Sequence, residues 1–216
     1  MTHRLDYRSA VATGRGDDGT TGLLYGGARV AKDDLRTEAY GTVDEAVAAM
    51  GLARVELAEA GAVDLAATIL RLQRELFVVG AELATNPDAR DRGQDGVSRV
   101  SGAMVEGVDA LLREAEAGIE LPREFVVPGE TRASADLELA RTLLRRAERR
   151  TVTLAREDTA IAEGHTLPYL NRLADLLWIL ARAAEQAESR TAVVARPDRR
   201  RGEPLDPSPE GAGAPA

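Results

Sequence analysis

Apolar residues recur along this chain at intervals of three and four, and nowhere does the period-two alternation of a half-buried strand persist. Val43, Val47, Met50 and Leu57 share one face of a helix predicted over roughly 36–60. Leu65, Leu72, Leu76, Val79 and Leu83 do the same over 62–84, and Asn86-Pro87 ends that helix because the residue before a proline is driven out of the helical region. A shorter helix is expected over 98–117 through Met104, Val108, Leu111 and Ala115. Beyond a loop holding Phe125 and Pro128-Gly129 come helices over 131–158 and 167–190, the last carrying Leu173, Leu177 and Leu180. Five helices with short connections predict an all-α protein, an antiparallel five-helix bundle.

Composition supports helices and divides the chain. The apolar material is mostly Ala, Leu and Val, with one Trp, four Tyr and two Phe, which favours helix packing over sheets. Residues 1–35, rich in Gly, Asp and Thr, read as an irregular N-terminal segment of the same domain; residues 36–193 hold the bundle. The segment 194–216 reads as a disordered tail, because five of the nine prolines crowd the last 21 residues with Gly and charge between them. No run approaches the ~20 apolar residues of a membrane span, and the first residues lack an apolar signal core, so a cytoplasmic protein with no membrane attachment is expected.

Charge and residue types then narrow the chemistry. The net charge of -8 and the scarcity of aromatics argue against nucleic acid as a partner. Without cysteine there are no disulfides, thiolate metal sites or cysteine nucleophiles. Of two histidines, His3 lies near the start and His165 in a Gly-His-Thr-Leu-Pro connection expected to be solvated, so a multi-histidine metal site is not expected. Lys32 is the only lysine among 28 basic residues.

Three stretches could carry chemistry. In Thr13-Gly14-Arg15-Gly16-Asp17-Asp18-Gly19-Thr20-Thr21 the glycines would let backbone N–H groups converge on an anion, or the stretch is a surface turn. It is not a Walker loop, since Thr20 stands where the lysine belongs. Gly26-Gly27-Ala28-Arg29-Val30-Ala31-Lys32 adds a second turn with two cations, or a solvated connection. Arg141, Arg145 and Arg149 follow one another at i, i+4 and i+8, with Arg146, Glu148 and Arg150 beside them. That stripe is either a solvated ion-pair face using Glu138 and Glu148 or a grip for a polyanion through guanidinium forks. Asp44, next to Val43 and Val47, needs a cation if buried. Asn171 and Asp175, at i, i+4 with Arg172 between, either join a polar core network or face a ligand.

Taken together, four blocks resemble the PduO-type ATP:cob(I)alamin (corrinoid) adenosyltransferases over about residues 13–190. They are Gly16-Asp17-Asp18-Gly19-Thr20-Thr21 with Arg29-Val30-Ala31-Lys32; Glu38-Ala39-Tyr40-Gly41-Thr42-Val43-Asp44-Glu45; Phe125-Val126-Val127-Pro128-Gly129; and Ala140-Arg141-Thr142 through Arg145-Arg146-Ala147-Glu148-Arg149, followed by Leu170-Asn171-Arg172-Leu173 and Asp175. The resemblance implies a homotrimer that holds ATP with Mg2+ between neighbouring subunits, and a cobalamin as acceptor. By position it assigns Thr13, Gly14, Arg15, Gly16, Asp17, Thr21, Lys32, Arg145, Arg146, Glu148, Arg149 and Asn171 to ATP, with Glu148 also at the magnesium. Arg145, Arg141 and Asp44 would be catalytic, the last two pairing across the interface, and Phe125, Asp175 and Trp178 would lie on the cobalamin side. A flavin-type reductase and a cobalamin-dependent mutase are the implied partners.

The implied reaction moves the 5′-deoxyadenosyl group of ATP to the cobalt of cob(I)alamin, giving adenosylcobalamin and triphosphate. Cob(I)alamin is itself the nucleophile, so the protein need supply only placement and cations on the departing triphosphate. An apolar wall containing Phe125 would displace the lower axial ligand and ease reduction of cob(II)alamin. The sequence departs from the family pattern at Gly14, usually basic, and at Glu130, usually glycine. It also has Glu138 for His, Ala174, Leu176 and Trp178 for Ser, Tyr and Phe, and Glu185 for Asn. Two alternatives stay open: a divergent enzyme with another acceptor, and a non-catalytic ATP or cobalamin carrier serving a mutase.

Overall fold

A computed structural model describes residues 11–196. Five long helices carry the fold: α1 Leu35–Glu59, α2 Val63–Leu83, α3 Gly102–Gly118, α4 Arg132–Ala155 and, after the one-turn α5 Thr159–Glu163, α6 Thr166–Ala187. A 3-10 turn, Pro87–Arg92, follows α2. Local chemistry sets several of the helix ends. Asp34 caps α1 by accepting from the backbone N of Arg36 at 2.8 Å. Thr131 and Ser134 close a reciprocal capping box on α4. Gly61, at φ +79°, turns the chain out of α1 through a conformation that favours glycine.

Helix α1 buries Ala39, Val43, Ala46, Met50, Ala53 and Leu57 at helical spacing and packs between α2 and α4. Helix α4, which buries Leu137, Ala140, Leu144 and Ala147, packs also against α6, and α6 in turn carries α3. One continuous apolar cluster runs through these helices. Ion pairs Glu38–Arg150, Glu45–Arg146 and Glu56–Arg132 climb α1 while descending α4, so the two are antiparallel. Such exposed pairs are worth about 0–1 kcal/mol each, and the alanine-rich seam beneath them does the holding. No helix of the described residues is long and apolar enough to cross a membrane.

The periodic pattern located the long helices to within a few residues and failed at their ends. The helix expected from 98 begins at Gly102, because Ser98 is spent in a turn, bonded to Tyr25 and to the backbone of Gln94. The one expected to reach 158 stops at Ala155, and Asp158 instead caps α5 by accepting from the backbone N of Ile161. Four two-residue strands were also not anticipated: β1 Thr20–Thr21 pairs antiparallel with β2 Val30–Ala31, and β3 Val126–Val127 with β4 Val193–Val194. The last pair lies across the boundary drawn at 194; the rest of the expected tail, 197–216, and His3 lie outside the described residues. His165 is exposed at the start of α6, as expected.

Candidate functional site

The glycine loop is folded back on itself by its own polar groups. Asp18 accepts from the backbone N of Thr20 at 3.0 Å and from its hydroxyl at 2.7 Å, and these bonds hold its carboxyl below the ordinary value. Arg29, to which the sequence reading gave no separate role, acts as the staple: its Nε donates to Thr20 Oγ1 at 2.7 Å and its Nη2 to the carbonyls of Arg15 and Thr20. Antiparallel pairing of Thr21 with Val30 brings Lys32 beside the loop, where its backbone N donates to the Gly19 carbonyl at 2.9 Å. A Cβ at Gly16 would stand 2.9 Å from Lys32 Nζ and 3.2 Å from the Thr20 carbonyl, so the ammonium lies against bare backbone. Gly14, at φ +66°, carries a turn in which Asp17 N donates to its carbonyl, and Thr13 Oγ1 accepts from Arg15 N. The expected ATP residues from Thr13 to Lys32 are thus gathered in one cradle with Lys32 on its rim.

The arginine stripe resolves into members with different fates. Arg146 pairs with Glu45 of α1, and Arg141 Nε donates to Glu138 at 2.6 Å. Arg149 donates back to the Arg145 carbonyl. Arg145 is exposed, and no carboxylate among the described residues pairs with it. Glu148 does not serve the arginines; its Oε1 accepts from Asn171 Nδ2 at 3.1 Å, joining α4 to α6 on the outer face. A reading in which every arginine is neutralised by an acid on the same face therefore leaves Arg145 out. Among the described residues no hydrogen bond or ion pair links the Thr13–Lys32 cradle to Arg145 or Arg149. Within one chain the cradle and the arginine stripe are thus separate.

Asp44 is exposed on α1, not core-facing as its neighbours made it look. Partial burial raises its carboxyl above the ordinary value, and no cation among the described residues lies against it.

A second region lies at the other end of α4. Phe125 is 90% exposed and, with Pro122, Pro128, Glu138, Arg141 and Trp178, lines a cavity of about 430 Å³. An adjoining cavity of about 480 Å³ contains Asp109, Arg113 and Asp175, and shares Arg141 and Trp178 with the first. Phe125 and Asp175, two of the three residues expected on the cobalamin side, thus border separate adjoining cavities that share the third, Trp178, together with Arg141. The loop of Phe125 is tied from behind by β4, where Ala195 N donates to the Phe125 carbonyl at 2.7 Å. A larger cavity of about 630 Å³ lies across Pro122–Glu124, lined by Arg182, Glu185 and Arg190.

Similarity to known proteins supplies what one chain's geometry leaves out. The family model for cobalamin adenosyltransferase matches residues 11–184. The chain belongs to this family. A corrinoid adenosyltransferase of Citrobacter freundii is 38% identical over 175 residues, covering 81% of this chain and 94% of that protein. One of Bacillus subtilis is 41% identical over 174 residues, covering 79% and 83%. Among solved structures, a phenylalanine-to-alanine variant of the PduO-type ATP:corrinoid adenosyltransferase of Lactobacillus reuteri, complexed with cobalamin and ATP, superposes with a TM-score of 0.71. It is 27% identical and is matched over 84% of this chain and 97% of its own. The predominantly helical fold is shared with it.

Sequence reasoning missed one group inside this region. Arg182 and Glu185, on α6 behind Trp178, are fully buried and ion-paired with each other and, through Arg182, with Glu138. The signal was present: an arginine and a glutamate three apart within the apolar stretch Leu176–Ala187, and a glutamate three before Arg141.

Proposed function

We infer that this protein transfers the 5′-deoxyadenosyl group of ATP to the cobalt of a reduced corrinoid, as a homotrimer of five-helix subunits. The observation that carries it is the pairing, in a member of this family, of a glycine cradle topped by Lys32 with the uncompensated Arg145 on a separate face. The cobalt of cob(I)alamin attacks the ribose C5′; the Co–C bond forms as the C5′–O bond breaks, and triphosphate leaves with the electron pair. No protein base or nucleophile is required. The cradle orients the phosphates, while Arg145 and Arg149 stabilise the charge that builds on them.

The separation of the cradle and the arginine stripe on one chain supports an intersubunit site, the cradle of one protomer facing the arginine helix of the next. Asp44 fits the same arrangement. A partly desolvated carboxylate with no cation beside it is best relieved by a guanidinium from outside the chain, and Arg141, held by Glu138, is the candidate.

No group of three or more acidic or histidine ligands that could hold a metal occurs among the described residues. Magnesium fits as a companion of the triphosphate: Glu148, with one carboxylate oxygen on Asn171, would supply a single protein ligand. The ion would neutralise phosphate charge.

The fourth-helix end, where Phe125 and Trp178 stand among charged groups such as Arg141, Asp109 and Asp175 around two adjoining cavities, supports a large ligand with an apolar face and a polar rim such as a corrinoid, and favours the adenosyltransferase over an enzyme with a small acceptor. A cytoplasmic location, a flavin-type reductase upstream and a cobalamin-dependent mutase downstream belong to the same proposal. Mixing the protein with ATP, magnesium and chemically reduced cobalamin should consume the cob(I)alamin absorbance at a rate proportional to protein. Intact ATP binding with no protein-dependent conversion would falsify the enzyme and leave the carrier.

A further inference from the structure

Three charged side chains lie where solvent hardly reaches, between the cavity that Glu138 borders and the larger one that Arg182 and Glu185 border: Glu138 is 3% exposed, Arg182 1% and Glu185 1%. Arg182 Nη2 donates to Glu185 Oε1 at 2.8 Å, and Arg182 Nη1 lies 3.4 Å from Glu138 Oε1. The other oxygen of Glu138 takes Arg141 Nε at 2.6 Å. Two carboxylates and two guanidiniums cancel, so the group carries no net charge. Arg182 also lies over the Trp178 ring, its Cζ 5.6 Å from the centroid.

As a device for stability this arrangement is poor. Among the described residues Arg182 Nε and Nη1 have no hydrogen-bond partner, and a buried cluster with unsatisfied groups is commonly replaced by apolar side chains at no loss. What the group does achieve is geometric. Arg182 is on α6 and Glu138 on α4, so their contact crosses between helices and fixes the two groups that both cavities share: Trp178 by the stacked guanidinium, and Arg141 by a carboxylate whose second oxygen is already engaged.

We propose that Arg182, acting through Glu138 and Trp178, is the positioning residue of the acceptor cavity, setting where Arg141 and the indole stand before the corrinoid arrives. It touches neither substrate. The inference rests on the corrinoid reading for its kinetic part, but its structural part is readable without any ligand, because Trp178 is the single tryptophan of the chain.

The test uses two variants of the full-length protein. R182M combined with E185M removes a neutral buried pair in one step and leaves Glu138 on Arg141. E138Q keeps the shape and cuts the link between the arginines. Both should keep the helical circular dichroism and the ATP affinity of the parent, raise KM for cob(I)alamin about tenfold, and change kcat less, since a misplaced wall weakens docking before chemistry. Without ligand, R182M/E185M should move the Trp178 emission and admit more acrylamide quenching. Unchanged emission, quenching and KM in a folded R182M/E185M protein overturns the proposal, as does a normal KM in E138Q. If R182M/E185M does not fold, E138Q and R182K, which keeps the charge but loses the planar fork, decide by the same readouts. A parent protein that leaves cob(I)alamin untouched, yet shows the ligand-free tryptophan change on mutation, sinks the corrinoid reading while supporting the positioning role.

Discussion

At the scale of single residues, the arginines of α4 differ in whether an acid of the same chain has claimed them. Arg146 is taken by Glu45 and Arg141 by Glu138, whereas Arg145 stands exposed without a carboxylate. Replacing Arg145 by Lys keeps the charge and removes the planar fork. A charge-assisted hydrogen bond is worth about 1.5–3 kcal/mol, so kcat/KM for ATP should fall about tenfold or more, with little change in thermal midpoint. An unaltered rate would place Arg145 outside the site. Phe125, 90% exposed, contributes nothing to the core, so Phe125→Ala should leave stability intact. It should slow turnover that begins from cob(II)alamin more than turnover of pre-reduced cob(I)alamin; equal losses would remove the ligand-displacing role.

The elements meet at polar junctions that no helix contains alone. Asp158, the cap of α5, is ion-paired with Arg36 of α1 and Arg90 of the 3-10 turn. Burial alone would raise its carboxyl, but the hydrogen bond from Arg36 and the charges of Arg90 and Arg36 outweigh burial and hold it below the ordinary 3.8. A carboxyl depressed in the folded state stabilises above its unfolded value, and that contribution is lost as pH falls from about 3.8 through the lower folded value. Asp158→Asn would strand two cations and should cost about 3 kcal/mol in urea unfolding at neutral pH, with the gap to the parent closing in acid. A second junction is β4, whose extension to Ala195 holds the Phe125 carbonyl. Ala195→Pro deletes that donor and should reproduce the cob(II)alamin defect of Phe125→Ala without weakening ATP binding; normal cob(II)alamin turnover would show that β4 does not govern the loop.

For the whole molecule the decisive question is whether the Lys32 cradle and Arg145 come together. If they meet across a subunit interface, Lys32→Ala and Arg145→Ala chains, each inactive alone, should regain activity when co-expressed. Mixed assemblies would contain sites built from the intact cradle of one chain and the intact helix of the other. Sites confined within single chains would show no recovery, and size-exclusion light scattering would report the assembly state directly.

The sequence alone carried the helical periodicity, and with it α1, α2, α4 and α6 almost to their ends, because burial of one face every 3.6 residues is written in local order. It also carried the glycine cradle and the arginine ladder, whose residue types announce anion chemistry at short range. Tertiary structure decided the rest. Asp44 looked core-facing from Val43 and Val47 yet lies exposed, because the seam with α4 is set by the alanines. Arg29 became the staple of the loop only when β1 met β2, and Glu148 turned to Asn171 instead of the arginines only when α6 packed against α4. Glu138, Arg182 and Glu185 form one group across two helices. A pairing between residues more than forty apart is fixed by packing and leaves no local period in the sequence to read.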